Sequence, residues 1–135
     1  MNGRFPIALH ILTLLSKTGE ELMSSDYIAG SININPALAR KEISNLRNLG
    51  LISSKEGKSG GYILAKTAKQ ITLADVYWAV KSQSVLGTAK NSPNPDCSVG
   101  KQINQKLDEL YDDLDKTLSE KLGSITIEDF ANQFD

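Results

Sequence analysis

Residues 33–64, NINPALARKEISNLRNLGLISSKEGKSGGYIL, hold a helix, a glycine-rich reversal and two short strand-compatible runs. Asn35 can cap free amides through its side-chain oxygen, and Pro36 suits a first-turn position that needs no N–H. Ala39, Ile43 and Leu46 then recur at helical spacing, flanked by Leu38 and Leu49, so one face of the helix is apolar and can be buried. The other face gathers Ala37, Arg40, Lys41, Ser44, Arg47 and Asn48, a cationic, small-polar surface that suits a groove lined by phosphates. Gly50 stops this helix at a position where a left-handed backbone carries no Cβ penalty. Residues 51–55 and 62–64 read as strands, and residues 56–61, EGKSGG, supply the glycines of a tight reversal with Lys55 and Lys58 beside or on its tip. A helix with a basic outer face followed by a basic β-wing suggests a winged helix-turn-helix DNA reader.

The flanking segments supply what such a reader needs. Upstream, residues 5–17 read as a helix with Ile7, Ile11, Leu14 and Leu15 on one face. His10, the sole histidine, lies among them without clustered ligands and is read as structural. Ser24, Ser25 and Asp26 open a short bracing helix through Ile28 and Ala29, with Gly30 and Ser31 closing it and Ile32 and Ile34 pinning the turn. Downstream, Thr72 and Asp75 form a capping pair for an apolar helix carrying Val76, Tyr77, Trp78 and Val80; its aromatics are expected in the core or an interface. Residues 87–96, with two prolines and little to bury, read as a loop.

From Cys97 a long helix follows, with Ile103, Leu107, Leu110, Leu114 and Leu118 on one narrow stripe suited to a second helix, and acids expected on a solvated face. Residues 124–133 read as a short helix docking through Ile127 and Phe130. The expected fold is mainly α with a small β-hairpin: residues 1–82 a winged helix-turn-helix, 83–96 a loop, and 97–135 a dimerisation helix and tail.

At 135 residues, 40% hydrophobic and 23% charged, the chain has the composition of one globular domain and not of a disordered one. Its net charge of −1 conceals an asymmetry, since residues 35–69 hold seven basic against two acidic side chains and residues 96–135 four against ten. An acidic tail is repelled by DNA and should point away from the basic face. The single cysteine excludes an intramolecular disulfide framework and fits a reducing cytosol. The apolar run at residues 7–15 is too short to span a bilayer and lacks a cleavage pattern, so a cytoplasmic protein without a membrane partner is expected.

Several motifs together resemble the Rrf2 family of bacterial winged-helix transcription regulators, whose members include an iron–sulfur-cluster regulator, a nitric-oxide-sensing repressor and a cysteine-metabolism repressor. They are Ser24-Ser25 with Ile28-Ala29, Ile34-Asn35-Pro36, the run LRNLGLI at residues 46–52, KSGGYILA at 58–65 and ITLADV at 71–76. The resemblance implies a homodimer whose long helices pair while each wing domain reads half of a roughly palindromic operator in double-stranded DNA. Half-sites would then lie on the order of 34 Å apart, one helical turn, or a small multiple. The expected contact set is Ser25, Asn35, Ala37, Arg40, Lys41, Ser44, Arg47, Lys55, Lys58, Ser59, Gly60 and Tyr62. The expected dimer seam is Ile103, Leu107, Leu110, Leu114 and Leu118.

The chain departs from the family's cluster-binding members, which carry three closely spaced cysteines before the dimer helix, whereas Cys97 stands alone. One thiolate per subunit does not supply that set, so no cofactor is transferred. Cys97 remains a candidate redox sensor if the long helix starts beside it, because exposed amides and the helix dipole favour thiolate. Two rivals are weighed. Gly57-Lys58-Ser59 looks like the end of a phosphate-binding loop, but that motif needs glycine at position 52, where Ile52 stands, and it should open a helix instead of turning a hairpin. No enzyme is therefore expected. A winged helix that binds only protein partners is the stronger rival, because a fold alone does not establish function.

Overall fold

Helix α1 (Arg4–Thr18) is the central element, with Ala8, Ile11, Leu12 and Leu15 wholly buried. The computed structural model describes residues 3–81 and 86–135. In chain order α1 is followed by α2 (Ser25–Ile32), α3 (Pro36–Asn48), β1 (Ile52–Lys55), β2 (Gly61–Leu64), α4 (Leu73–Val80), α5 (Ser98–Gly123) and α6 (Ile127–Ala131). Helices α2, α3, α4 and α6 and strand β2 all pack against α1. One core results, joining Ile28 of α2, Ile43 and Leu46 of α3, Ile52 of β1, Ile71, Val76 and Val80 around α4, and Ile127 of α6. Burying each such side chain contributes about 1.5–3 kcal/mol relative to exposure, so the apolar periodicity is what assembles these short helices.

Local signals start and stop the helices. Ser24 accepts from the Tyr27 amide at the start of α2, and Asn35 accepts from the Ala37 amide at 2.8 Å with Pro36 in the first turn of α3. Thr72 with Asp75 and Thr126 with Asp129 form reciprocal capping boxes on α4 and α6, each cap being worth roughly 1 kcal/mol. One expected boundary is corrected: Gly30 and Ser31 lie inside α2, which ends at Asn33 in a left-handed conformation, φ 62°. Asn tolerates that region better than most residues, and here it substitutes for the glycine that the eye seeks.

Strands β1 and β2 pair antiparallel, Ile52 opposite Leu64 and Lys55 opposite Gly61. The hairpin is also tied to the segment before α2, since Met23 and Tyr62 exchange both backbone hydrogen bonds, at 3.1 and 2.9 Å. This bridge explains one glycine of the pair, and the turn of the hairpin itself explains the other. A Cβ at Gly61 would stand 2.7 Å from the Met23 carbonyl oxygen and one at Gly60 would stand 2.1 Å from that of Lys55. Both obstacles are backbone, which cannot swing aside.

Helix α5 behaves differently from the rest, having no buried residue along its 26 positions. It packs on α4, and the chain after it returns to the core through α6, where the Ile127 amide donates to Ile71 O at 2.8 Å. Ile127 is wholly buried and Phe130 packs on the core. Among the described residues, no helix is long and apolar enough to cross a membrane.

Candidate nucleic-acid interface

Helix α3 is presented by the core side of its own turns. Ala39, Ile43 and Leu46 are buried, while Ala37, Arg40, Lys41, Arg47 and Asn48 are exposed and Ser44 is half-buried. Leu38 and Leu49 flank the buried stripe at its margins and are 40% and 51% exposed. The unexpected member of the buried face is Glu42, 2% exposed, whose carboxylate receives Arg4 Nε at 3.0 and 3.3 Å. A carboxylate in an apolar interior must be paired, and the ion pair also fixes the roll of α3 against the start of α1. Asn45 Nδ2 donates to Ala79 O at 3.3 Å and ties the same helix to α4. The spacing 39, 42, 43, 46 already places Glu42 on the buried stripe; nothing in the chain order marks Arg4 as its partner.

The bracing contacts hold α2 at the correct place. His10 Nε2 lies 3.0 Å from Ser31 Oγ, linking α1 to α2, which gives the lone histidine a structural partner. Residues 33–35 then turn the chain into α3, the short connection of a helix-turn-helix.

The wing and the two helices enclose a recess of about 320 Å³ lined by Ser24, Ser25, Arg47, Ser54, Lys55, Glu56, Gly57, Gly60, Gly61 and Tyr62. Five of the expected contact residues, Ser25, Arg47, Lys55, Gly60 and Tyr62, therefore meet there although 37 positions separate the first from the last. Arg47 Nη1 donates to Ser54 Oγ at 3.4 Å, which holds the guanidinium towards β1. Arg40 and Lys41 stand on the open side of α3, and Lys58 is exposed at the wing tip. Ser59 lines a neighbouring recess with Ser24, Tyr27 and Gly60. Asn35 uses its Oδ1 as the helix cap. Hydroxyls, glycine backbone and cations meet at one concave junction of helix and wing, groups of a kind able to hold phosphate oxygens, and the exposed face of α3 stands beside them. Ser24 is read from sequence only as a helix opener and family match, and Tyr27 is not named there; only the fold of the wing onto residue 23 brings them beside it.

Cys97 is the N-cap residue of α5 and is exposed. Its side chain makes no cap hydrogen bond of full geometry, yet the amides of Gly100 and then Val99 hold the thiol pKa below its ordinary value. On the expected dimer stripe, Leu110 is 49% exposed, and Ile103, Leu107, Leu114 and Leu118 are partly covered. The acids of α5 are not all solvated as expected. Asp115 is drawn against α4, accepting from Tyr77 Oη at 2.7 Å and from Lys81 Nζ. Its pKa is lowered, chiefly by the Lys81 hydrogen bond, while burial followed by the Asp115 hydrogen bond pushes that of Tyr77 up to about 12.

A family model described as "Rrf2: Iron-dependent Transcriptional regulator" matches residues 1–133. The chain belongs to the Rrf2 family. YwnA of Bacillus subtilis, which bears the name of an HTH-type transcriptional regulator, is 37% identical over 132 residues, covering 98% of this chain and 97% of its own. Among solved structures, CymR of B. subtilis, described as that organism's global cysteine regulator, is 27% identical with a TM-score of 0.74, over 100% of this chain and 98% of its own. IscR of T. potens is 26% identical with a TM-score of 0.68, over 98% and 86%. The winged fold of this Rrf2-family chain is thus that of its relatives, and the protein is a DNA-binding transcription regulator.

The family description raises the question of iron. This chain has one cysteine and one histidine, and among the described residues no three His, Cys, Asp or Glu side chains gather where they could hold a metal ion. The residues at positions 82–85, Ser-Gln-Ser-Val, add no such ligand. The donor set does not fit an iron–sulfur cluster, which requires several thiolates or their replacements.

Proposed function

We propose that two copies of this regulator pair through α5 and repress transcription by reading a roughly palindromic operator. The observation that carries this reading is the junction of α3 and the wing, where Ser25, Arg47, Lys55, Gly60 and Tyr62 converge beside the exposed Arg40 and Lys41. Residues 1–82 form the reading unit, residues 83–96 connect, and residues 97–135 join the copies while α6 returns to brace the reader. Arg40, Lys41, Ser44 and Ala37 face base edges, and Asn35, Ser59 and Lys58 complete the backbone contacts. The stripe of Ile103, Leu107, Leu110, Leu114 and Leu118 forms the seam. Reading DNA requires no catalytic step, and the protein works in the cytoplasm, where its operator lies.

Cys97 gives the regulator a route to oxidant sensing. A peroxide transfers one oxygen to the exposed thiolate, its O–O bond breaking, and with one proton taken up from solvent this gives a sulfenic acid and water or an alcohol; condensation with a second Cys97 thiol then gives an intersubunit disulfide and water. Either product changes the start of α5 and with it operator affinity.

One experiment tests both parts: selection from random duplexes by reduced and by peroxide-treated protein, followed by salt titration of the best site. The expected result is a palindromic consensus bound by the reduced dimer with a steep loss of affinity in salt, and weaker binding after oxidation. No duplex enriched above background by a folded dimer would favour the protein-binding winged helix instead. An unchanged oxidant response in Cys97→Ser would remove the sensor while leaving the DNA reader intact.

A further inference from the structure

Helix α4 stands between the recognition helix and the long helix, and polar side chains tie it to both. On one side Asn45 of α3 donates to Ala79 O. On the other, Tyr77 Oη and Lys81 Nζ donate to the two oxygens of Asp115, and Trp78 Nε1 donates to Ser119 Oγ at 2.7 Å. Lys81 Nζ also lies 4.7 Å from the centre of the Trp78 ring, and the Tyr77 ring meets Phe5 of α1 edge-on at 6.5 Å. The Asp115 and Lys81 side chains are 14% and 21% exposed.

An apolar contact between two helices tolerates rolling and sliding, because dispersion and burial are nearly indifferent to direction. Hydrogen bonds are directional. A carboxylate whose two oxygens meet two donors four residues apart, Tyr77 within α4 and Lys81 at its C-cap, fixes both roll and tilt of α5. No residue of α5 is fully buried; Leu114, Leu118 and Leu122 are only partly covered, so the directional clasp of Asp115 adds to a shallow apolar contact in deciding the angle. The consequence grows along the helix. From Asp115 to Ser98 the axis runs about 26 Å at 1.5 Å per residue, so a tilt of about 10° moves that end by about 4–5 Å. That displacement exceeds one base step of about 3.4 Å.

We propose that Asp115 is a positioning residue that, through Tyr77 and Lys81, fixes the angle of α5 on the reading unit and so sets the half-site separation a dimer accepts. The inference rests on the dimeric reading given above. Removing the clasp leaves each reading unit intact and each dimer formed, but lets the two units splay, so operators with altered spacers are accepted.

The test uses the full chain and a series of operators whose half-sites are moved apart or together by one to three base pairs, with binding measured for wild type, Asp115→Ala, Asp115→Asn and Tyr77→Phe. Wild type should prefer one spacing on the order of tenfold per base pair. Asp115→Ala should flatten that preference to about threefold or less while the dimer and the affinity for an isolated half-site are kept; Asp115→Asn, which still accepts from Tyr77, should restore part of it. Should Asp115→Ala fold poorly, Tyr77→Phe, which removes only the hydroxyl, should broaden the spacing preference by itself. A wild type indifferent to spacing overturns the dimeric reading and this proposal together. A sharp optimum retained in folded, dimeric Asp115→Ala or Tyr77→Phe overturns the role of Asp115 alone.

Discussion

Helices α3 and α5 are both amphipathic, yet they use their apolar faces differently. In α3 the face holding Ala39, Ile43 and Leu46 is covered by α1 and α2 of the same chain, and even a carboxylate, Glu42, is buried there with Arg4 as its partner. In α5, twice as long, no side chain is buried, and Leu110 stands half in solvent on the open stripe. The lesson is that helical periodicity records which face wants cover but not who supplies it. The first helix finds its cover within the fold and so leaves its other, cationic face open to solvent. The second keeps an unsatisfied stripe, with acids around it, at a place where a second copy could close it.

That contrast is broken most severely by placing a charge in the stripe of α5. Leu110→Asp should weaken dimerisation by more than a hundredfold, about 3 kcal/mol, and operator binding with it, while circular dichroism stays that of wild type. Sedimentation equilibrium provides the check, and a variant that remains fully dimeric would place the interface elsewhere. For α3 the corresponding stroke is internal: Arg4→Ala leaves Glu42 buried without its cation and should cost about 3 kcal/mol in urea unfolding. Unchanged stability would mean that the carboxylate is not held by this pair.

The outer face of α3 is sharpened by comparing two cations. Arg40→Ala should cost roughly 1–3 kcal/mol on the preferred operator and relax base preference at one position, whereas Lys58→Ala should weaken all duplexes alike and reduce the salt slope by about one. Equal effects of both on every duplex would erase the division between base reading and backbone contact. The smallest expected effect is at the start of α5. Because the Gly100 and Val99 amides favour the Cys97 thiolate, the thiolate fraction at neutral pH exceeds that of an ordinary cysteine. Alkylation by iodoacetamide should therefore rise with pH around a midpoint below that of a free thiol; a midpoint at or above it would deprive Cys97 of its activation.

Much of this architecture is legible along the chain because its signals are local. Asn35-Pro36, Thr72 with Asp75, and the glycines of the wing each act within a few residues of themselves, and the apolar periods of α1, α3 and α5 mark their elements without reference to the rest. The end of α2 was less legible, since Asn33 takes the left-handed position while Gly30 stays helical. The expected contact residues come from the face of α3 and the wing, but their meeting is not written there: the recess joining Ser25 to Tyr62 depends on the bridge between Met23 and Tyr62. Asp115 shows the same gap. It follows Asp112 and Asp113 and reads with them as one of the acids of a solvated face, and its partners Tyr77 and Lys81 are more than 30 residues away.

The sequence by itself determined the helices, the wing, the family and the opposite charges of reader and tail, because caps, periodicity and composition act locally. Only the tertiary structure decided which charges are paired inside the protein and which remain exposed. Glu42 and Asp115 look alike in the chain, but packing sets Glu42, on the inner face of α3, against Arg4 and Asp115 against Tyr77 and Lys81, and those partners lie too far along the chain for any local rule to name them.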